Sequence, residues 1–209
     1  PTNTHCALKL DLAKAYDRVD WDFLEAALSK LGFDMQWIGW VMCCVKSVRY
    51  AVKWNGELLD FFQPSRGLRQ GDPLSPYLFL FVADGLSALL KEGEEKGDFT
   101  PLKVCRRAPW VSHLLFADDT LLFFKASVEQ AQDVKGVLQS YAGATGQLIN
   151  PQKCSIQFSD NCPLVLQIAG RQVLQVHNVE FEGKYLGLPT LDGRMHKGRF
   201  QMLQARLTK

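Results

Sequence analysis

Apolar and polar residues recur along this chain with two different periods, and the switches between them mark its elements. Residues 6–11 (Cys-Ala-Leu-Lys-Leu-Asp) are mostly apolar, alternate toward the end and stop at an aspartate, as a half-buried strand does. From Asp20, a ready N-cap, the period lengthens. Leu24, Ala27, Leu28 and Leu31 fall on one helical face, and Gly32 stops the run. Asp34 opens a second helix carrying Trp37, Ile38, Val41 and Val45. Residues 50–54 and 58–62 read as a hairpin about Asn55-Gly56, with Glu57 in the connection. A loop rich in Arg, Gly and Pro covers 64–73, and an apolar helix follows over about 76–90. The mixed charges of 91–96 read as a solvated helix end and loop. Two apolar runs, 114–117 and 120–124, pinch around Asp118-Asp119, and their composition predicts two largely buried strands. Ser127 with Gln130 resembles a capping box for a helix to about Tyr141, ended by Gly143 and Gly146. Strands near 155–158 and 184–188 and a helix from about 197 complete the pattern. Strands and helices mix without a regular βαβ rhythm, which predicts an α+β class.

Composition narrows the picture further. The 209 residues are 47% hydrophobic with thirteen Phe and five Trp, enough apolar material for a packed core rather than a disordered chain. Charges interrupt every long apolar run, so no span is expected to cross a bilayer. Residues 1–5 are polar, and Lys9 and Asp11 break the stretch after them, which is unlike a signal peptide. Cys6, Cys43, Cys44, Cys105, Cys154 and Cys162 form no C-x-x-C pair and have no His at finger spacing, which argues against structural zinc. Cys43 and Cys44 read as reduced thiols buried in an apolar helix, in a reducing intracellular compartment. A formal charge of +2 neither demands nor excludes nucleic acid, and is low for a complete nucleic-acid-binding protein.

The chemistry concentrates in the aspartates. Asp118 and Asp119 sit between apolar runs, where two close carboxylates repel and are costly unless neutralised. A divalent cation does that, and magnesium prefers such oxygen ligands. A solvated hairpin turn is the plainer alternative, because Asp is common in turns. Asp11 also ends an apolar strand, with Asp17 six residues later. If the strands are neighbours, Asp11 and Asp118 can share a cation, the arrangement that serves phosphoryl transfer with two metal ions. A strand-end cap is the alternative for Asp11 alone.

These residues resemble a family pattern. Lys9-Leu10-Asp11-Leu12-Ala13-Lys14-Ala15-Tyr16-Asp17-Arg18-Val19 looks like motif A of non-LTR (LINE-type) reverse transcriptases. Gly67-Leu68-Arg69-Gln70-Gly71-Asp72-Pro73-Leu74-Ser75-Pro76 resembles motif B, and Phe116-Ala117-Asp118-Asp119 is similar to motif C. Residues 146–155 resemble motif D, and Tyr185-Leu186-Gly187 the strand at the palm–thumb border. Five motifs in the family's order span nearly all of 1–209, and their context looks most like plant elements.

The resemblance implies an α+β right-hand polymerase palm with partial fingers and little or no thumb. It implies RNA-directed DNA polymerase activity: two-metal transfer of a dNTP to a primer 3′-OH on an RNA template. The cofactor would be two Mg²⁺ ions, with Mn²⁺ possible, and the metal ligands Asp11, Asp118 and Asp119. Tyr16 would underlie the sugar and exclude a ribose 2′-OH. Leu12, Gln70 and Gly71 would border the incoming nucleotide, Arg69 would contact nucleic acid, and Lys153 would protonate the leaving pyrophosphate. Asn150 would shape its loop, and His113 reads as structural. Partners would be the RNA template, the DNA primer and dNTP, without a membrane, in nucleus or cytoplasm. The fingers, thumb and endonuclease regions of a parent polyprotein are expected to lie outside this sequence. Thr145-Gly146-Gln147-Leu148 departs from the Ser-Gly-Leu usual in motif D. Rival expectations are an inactive retroelement remnant that binds nucleic acid weakly, and a group II intron maturase-like protein.

Overall fold

The computed structural model describes residues 4–179 and the backbone of 184–185 and 188–189. Four antiparallel strands form one sheet in the order β4-β5-β1-β6: β1 is His5–Leu10, β4 His113–Phe116, β5 Asp119–Lys125 and β6 Ser155–Phe158. Strand alternation gives the sheet one core face. Cys6, Leu8 and Leu10 of β1, Leu122 and Phe124 of β5, and Ile156 of β6 share a single apolar cluster. The register sets Leu8 opposite both Leu122 and Ile156, so this face is continuous across three strands. Helices α1 (Trp21–Lys30), α2 (Met35–Lys46), α3 (Ser75–Lys96) and α4 (Val128–Thr145) contribute their apolar stripes to the same cluster.

The helix starts are local chemistry. Asp20 accepts from the Phe23 N–H, Asp34 from those of Gln36 and Trp37, and Ser127 from that of Gln130. Each such cap contributes about 1 kcal/mol by satisfying an orphan donor. The Gln130 half of the expected capping box differs. Its side-chain oxygen accepts from the N–H groups of Lys125 and Thr100, tying the helix start to two neighbouring segments.

Several expectations are corrected. Helix α3 runs on to Lys96, because Glu and Lys are good helix formers and Lys96 pairs with Glu92 one turn away. Helix α4 passes Gly143 and stops at Gly146, which takes the left-handed C-terminal conformation. The hairpin strands reduce to β2 (Lys53–Trp54) and β3 (Glu57–Leu58). Glu57 is in the ladder rather than the connection, and positive φ at Asn55 and Gly56 makes the two-residue turn. Leu31 is exposed, one residue past its helix. Cys43 and Cys44 are exposed, not buried, because Val41, Met42 and Val45 take the core face of α2. Strand β4 is an edge strand with Leu114 and Phe116 exposed, so only β5 of the Asp118-Asp119 pair is well buried. Helix α5 (Leu164–Leu174) was not expected. In place of one strand at 184–188, two short strands pair, β7 (Lys184–Tyr185) and β8 (Leu188–Pro189). Residues 186–187 and the helix expected from 197 lie outside the described residues.

Candidate active site

Asp11 stands one residue beyond the Leu10–Thr120 pair, which sets it level with Asp119 on the outward face shared by Lys9 and Leu121. The two aspartate-bearing strands are therefore direct neighbours, which meets the condition under which Asp11 and Asp118 could share a cation. Asp118 sits in the two-residue turn between β4 and β5, exposed, after Ala117 at φ +53°. Positive φ at the first turn position suits a hairpin's twist but is unusual for a residue with a Cβ.

The stretch 11–20 has little regular structure beyond a 3₁₀ turn at Tyr16–Arg18, so its backbone groups need partners elsewhere. Two distant segments supply them. On one flank Gly67 N–H donates to the Val19 carbonyl and Leu68 N–H to that of Tyr16, both at 2.8 Å, while Trp21 Nε1 donates to the Gly67 carbonyl. On the other, Ala13 N–H donates to Leu148, Asp20 N–H to Thr145, and Asn150 N–H to Asp11. Arg18 Nε donates to the Gly146 carbonyl, and the buried Gln147 Nε2 to the Ala15 carbonyl at 2.9 Å. Glycine is required at both contacts. A Cβ on Gly67 (φ +92°) would lie 2.7 Å from the Asp17 carbonyl oxygen, and one on Gly146 (φ +74°) 2.7 Å from that of Arg18.

A cleft of about 570 Å³ opens against this floor, lined by Leu12, Tyr16, Gln70, Gly71, Asp118 and neighbours. Five residues named from sequence thus line one cleft. The Tyr16 ring stacks on Phe79 at 4.9 Å. Partial burial and then the nearby Asp118 carboxylate push the Tyr16 phenol up, so it stays protonated. Asp11, Asp119, Arg69 and Lys153 do not line the cleft. Arg69 lines a small neighbouring pocket with Leu68 and Leu78. Lys153 is exposed on the turn that follows Asn150. Asp11 N–H donates to the buried Cys154 Sγ at 3.4 Å. Lys14, Asp72 and Ser75 also line the cleft and were not singled out from sequence, although all three fall inside the quoted motifs. His113 bonds Ser87 and Ser112 through its two ring nitrogens, each at 2.9 Å, which is a structural role.

Among the described residues, no group of three or more His, Cys, Asp or Glu side chains is arranged to hold a metal. The donors nevertheless fit a hard cation. Asp11 and Asp118 form no ion pair among the described residues, and magnesium commonly takes one or two carboxylates and completes its shell with substrate phosphates.

Residues 1–190 match the family described as reverse transcriptase (RNA-dependent DNA polymerase). The chain belongs to the reverse transcriptase family. A Pol polyprotein of an R2 retrotransposable element from Popillia japonica is 28% identical over 73% of this chain and 24% of its own length. A protein of the transposon TX1 from Xenopus laevis is 32% identical over 71% of the chain and 11% of its own length. An uncharacterized mitochondrial protein of Arabidopsis thaliana is 50% identical over 66 residues, 54% of its length. These relatives are in keeping with a domain of the non-LTR kind. The chain spans between about a tenth and about a half of their lengths. The fold is shared with telomerase from Candida tropicalis. The apo, truncated form gives a TM-score of 0.55 at 17% identity over 76% of this chain and 31% of that one. The form in complex with a fragment of telomeric RNA gives 0.57 at 15% identity over 99% and 34%. An antiparallel sheet with packed helices, in this family, is a polymerase palm. No described helix is long and apolar enough to cross a membrane.

Proposed function

We propose that this chain is the palm of an RNA-directed DNA polymerase, transferring a dNTP to a primer 3′-OH opposite an RNA template. The observation that carries this is the gathering of Leu12, Tyr16, Gln70, Gly71 and Asp118 around one cleft, at the sheet end where Asp11 and Asp119 stand. Asp11 and Asp118, with Asp119 beside them, would hold divalent ions, Mg²⁺ foremost. Such ions, when bound, neutralise charge on the attacking and leaving oxygens. The protein's own part is positioning. Tyr16, whose ring stacks on Phe79, would underlie the sugar and exclude a ribose 2′-OH. Gly71 admits the ligand close to the backbone. Lys153 would give a proton to the leaving pyrophosphate, and Arg69 would meet the nucleic-acid backbone. The fingers, thumb and endonuclease regions of a longer polyprotein would be its partners, and the compartment nucleus or cytoplasm.

The test is extension of an RNA-templated DNA primer by the purified chain with dNTPs and Mg²⁺. Product that disappears when Asp118 is changed to Asn supports the assignment. A second reading is a folded palm without activity, with Asp118 on the cleft and Asp11 and Asp119 off it. It requires a cooperative melt and no product with either Mg²⁺ or Mn²⁺.

A further inference from the structure

Asp17 follows the cleft residue Tyr16 and is exposed, with no ion pair among the described residues. Its carboxylate accepts instead from Gln70. The Gln70 Nε2 lies 3.0 Å from Asp17 Oδ1, across 53 positions of sequence. The backbone sets up this meeting. Gly67 and Leu68 are docked on Val19 and Tyr16, and the Gly67 Cα rests against the Asp17 carbonyl so closely that no side chain fits between. Backbone contacts alone thus bring both residues to the same spot.

Chemistry then decides which way Gln70 turns. An ionised carboxylate only accepts hydrogen bonds, so the half of the carboxamide that faces Asp17 is the NH₂. The carbonyl oxygen is turned away from it, and Gln70 lines the cleft with Tyr16, Gly71 and Asp118. We propose that Asp17 is a positioning residue: it holds the Gln70 carboxamide so that the incoming nucleotide meets an acceptor there, not a donor. This rests on the nucleotide-site assignment above. Electrostatics alone gives the opposite sign. A carboxylate near a triphosphate repels it, so removing the charge should tighten binding. If positioning governs, removing the charge weakens binding, because the carboxamide then samples both orientations.

The experiment is steady-state extension by the full chain, separating KM for dNTP from kcat, with Asp17→Ala, Asp17→Asn, Gln70→Ala and the double alanine variant. Asp17→Ala is expected to raise KM about fivefold, the size of one exposed hydrogen bond to a charged group, with kcat within about twofold. Asp17→Asn removes the charge and can donate as well as accept, so it should be impaired about as much as Asp17→Ala. Asp17→Ala should add little on the Gln70→Ala background. An unchanged or lowered KM in Asp17→Ala or in Asp17→Asn overturns the proposal. A second measurement needs no activity: the Gln70 side-chain amide in a ¹H–¹⁵N spectrum of the nucleotide-free chain, identified by its loss in Gln70→Ala. Two amide proton signals are expected in every form, with one at lower field in wild type, where it bonds to the Asp17 carboxylate, and nearer the free-amide position in Asp17→Ala. An amide indifferent to Asp17→Ala overturns the proposal. If the wild-type chain makes no product, the nucleotide-site assignment falls, and this amide still decides whether Asp17 orients Gln70.

Discussion

Segment 11–20 is bonded on both flanks by parts of the chain far away in sequence, whereas the Ala117-Asp118 turn is held by its own two strands and stands in solvent. Both present aspartates at one end of the sheet. Asp11 comes with a floor: its carbonyl accepts from Asn150, its N–H reaches Cys154, and the residues after it are closed in by Gly67 and Gly146. Asp118 comes on an edge hairpin whose Phe116 is 61% exposed. Side-chain chemistry at the turn can therefore be changed at little structural cost. Around Asp11, stability and function are the same contacts.

The largest expected effect is on activity at the turn. Asp118→Asn should lower primer extension at least about a hundredfold, the size seen when one electrostatic contact to a transition state is removed. The melting temperature should move by no more than a degree or two, because an exposed turn residue is lost without a cavity or an orphaned partner. Rates and thermal melts on the same preparation check both halves. A near-normal rate removes Asp118 from the chemistry, and a large drop in melting temperature removes the contrast between the two regions.

Next comes stability at the floor. Gly67→Ala forces a side chain into left-handed backbone and against the Asp17 carbonyl. It should cost about 2–4 kcal/mol, read as a lower denaturant midpoint at unchanged slope. Activity should fall with it, since the displaced segment carries Tyr16. A change under about 0.5 kcal/mol would show that the two segments are not docked as described.

This contrast also explains what could be read from the residues alone. The caps at Asp20, Asp34 and Ser127, the strand before Asp11 and the runs around Asp118-Asp119 are local patterns, and each lies where its pattern points. The motif order likewise named Leu12, Tyr16, Gln70 and Gly71, which line one cleft. Nonlocal facts were not legible. No periodicity says that β4 is an edge strand, or that Gly67 and Gly146 close on either side of 16–18. Helix α5 escaped because Pro163 stands at its start with no side-chain cap, so the usual opening signal is missing. The exposure of Cys43 and Cys44 was legible in principle. The core positions 38, 41, 42 and 45 already define a face that excludes them.

The His113–Ser87 bond ties the edge strand to α3, and acid should loosen it. Burial, then Lys91, hold the His113 pKa below its ordinary 6.5, so the folded protein binds this proton less readily than the unfolded chain. Stability from this group is therefore complete above pH 6.5 and declines as pH falls below it. His113→Gln should flatten the loss of stability between about pH 6.5 and pH 5, seen in melts across that window. A slope identical to wild type would mean that other groups govern it.

The smallest effect should come from Ala117→Gly, which reverses the logic of Gly67→Ala. Ala117 sits at φ +53°, a conformation that costs an L-residue about 1 kcal/mol. Glycine removes that cost but leaves the unfolded chain with more freedom to lose, by about 0.4–1 kcal/mol. The two terms nearly cancel, so the melting temperature should barely move. The turn itself should change more than the stability does. With a Cβ, only a narrow set of turn conformers satisfies both the Phe116–Asp119 pairing and the next residue's direction. Without it, Asp118 samples a wider range over the cleft. Extension should then fall a few-fold in kcat, with KM for dNTP little changed, because the carboxylate is intact but presented less often. An unchanged kcat would show that the strained alanine takes no part in presenting Asp118. A clear loss of stability would show that the turn is tied to the core after all.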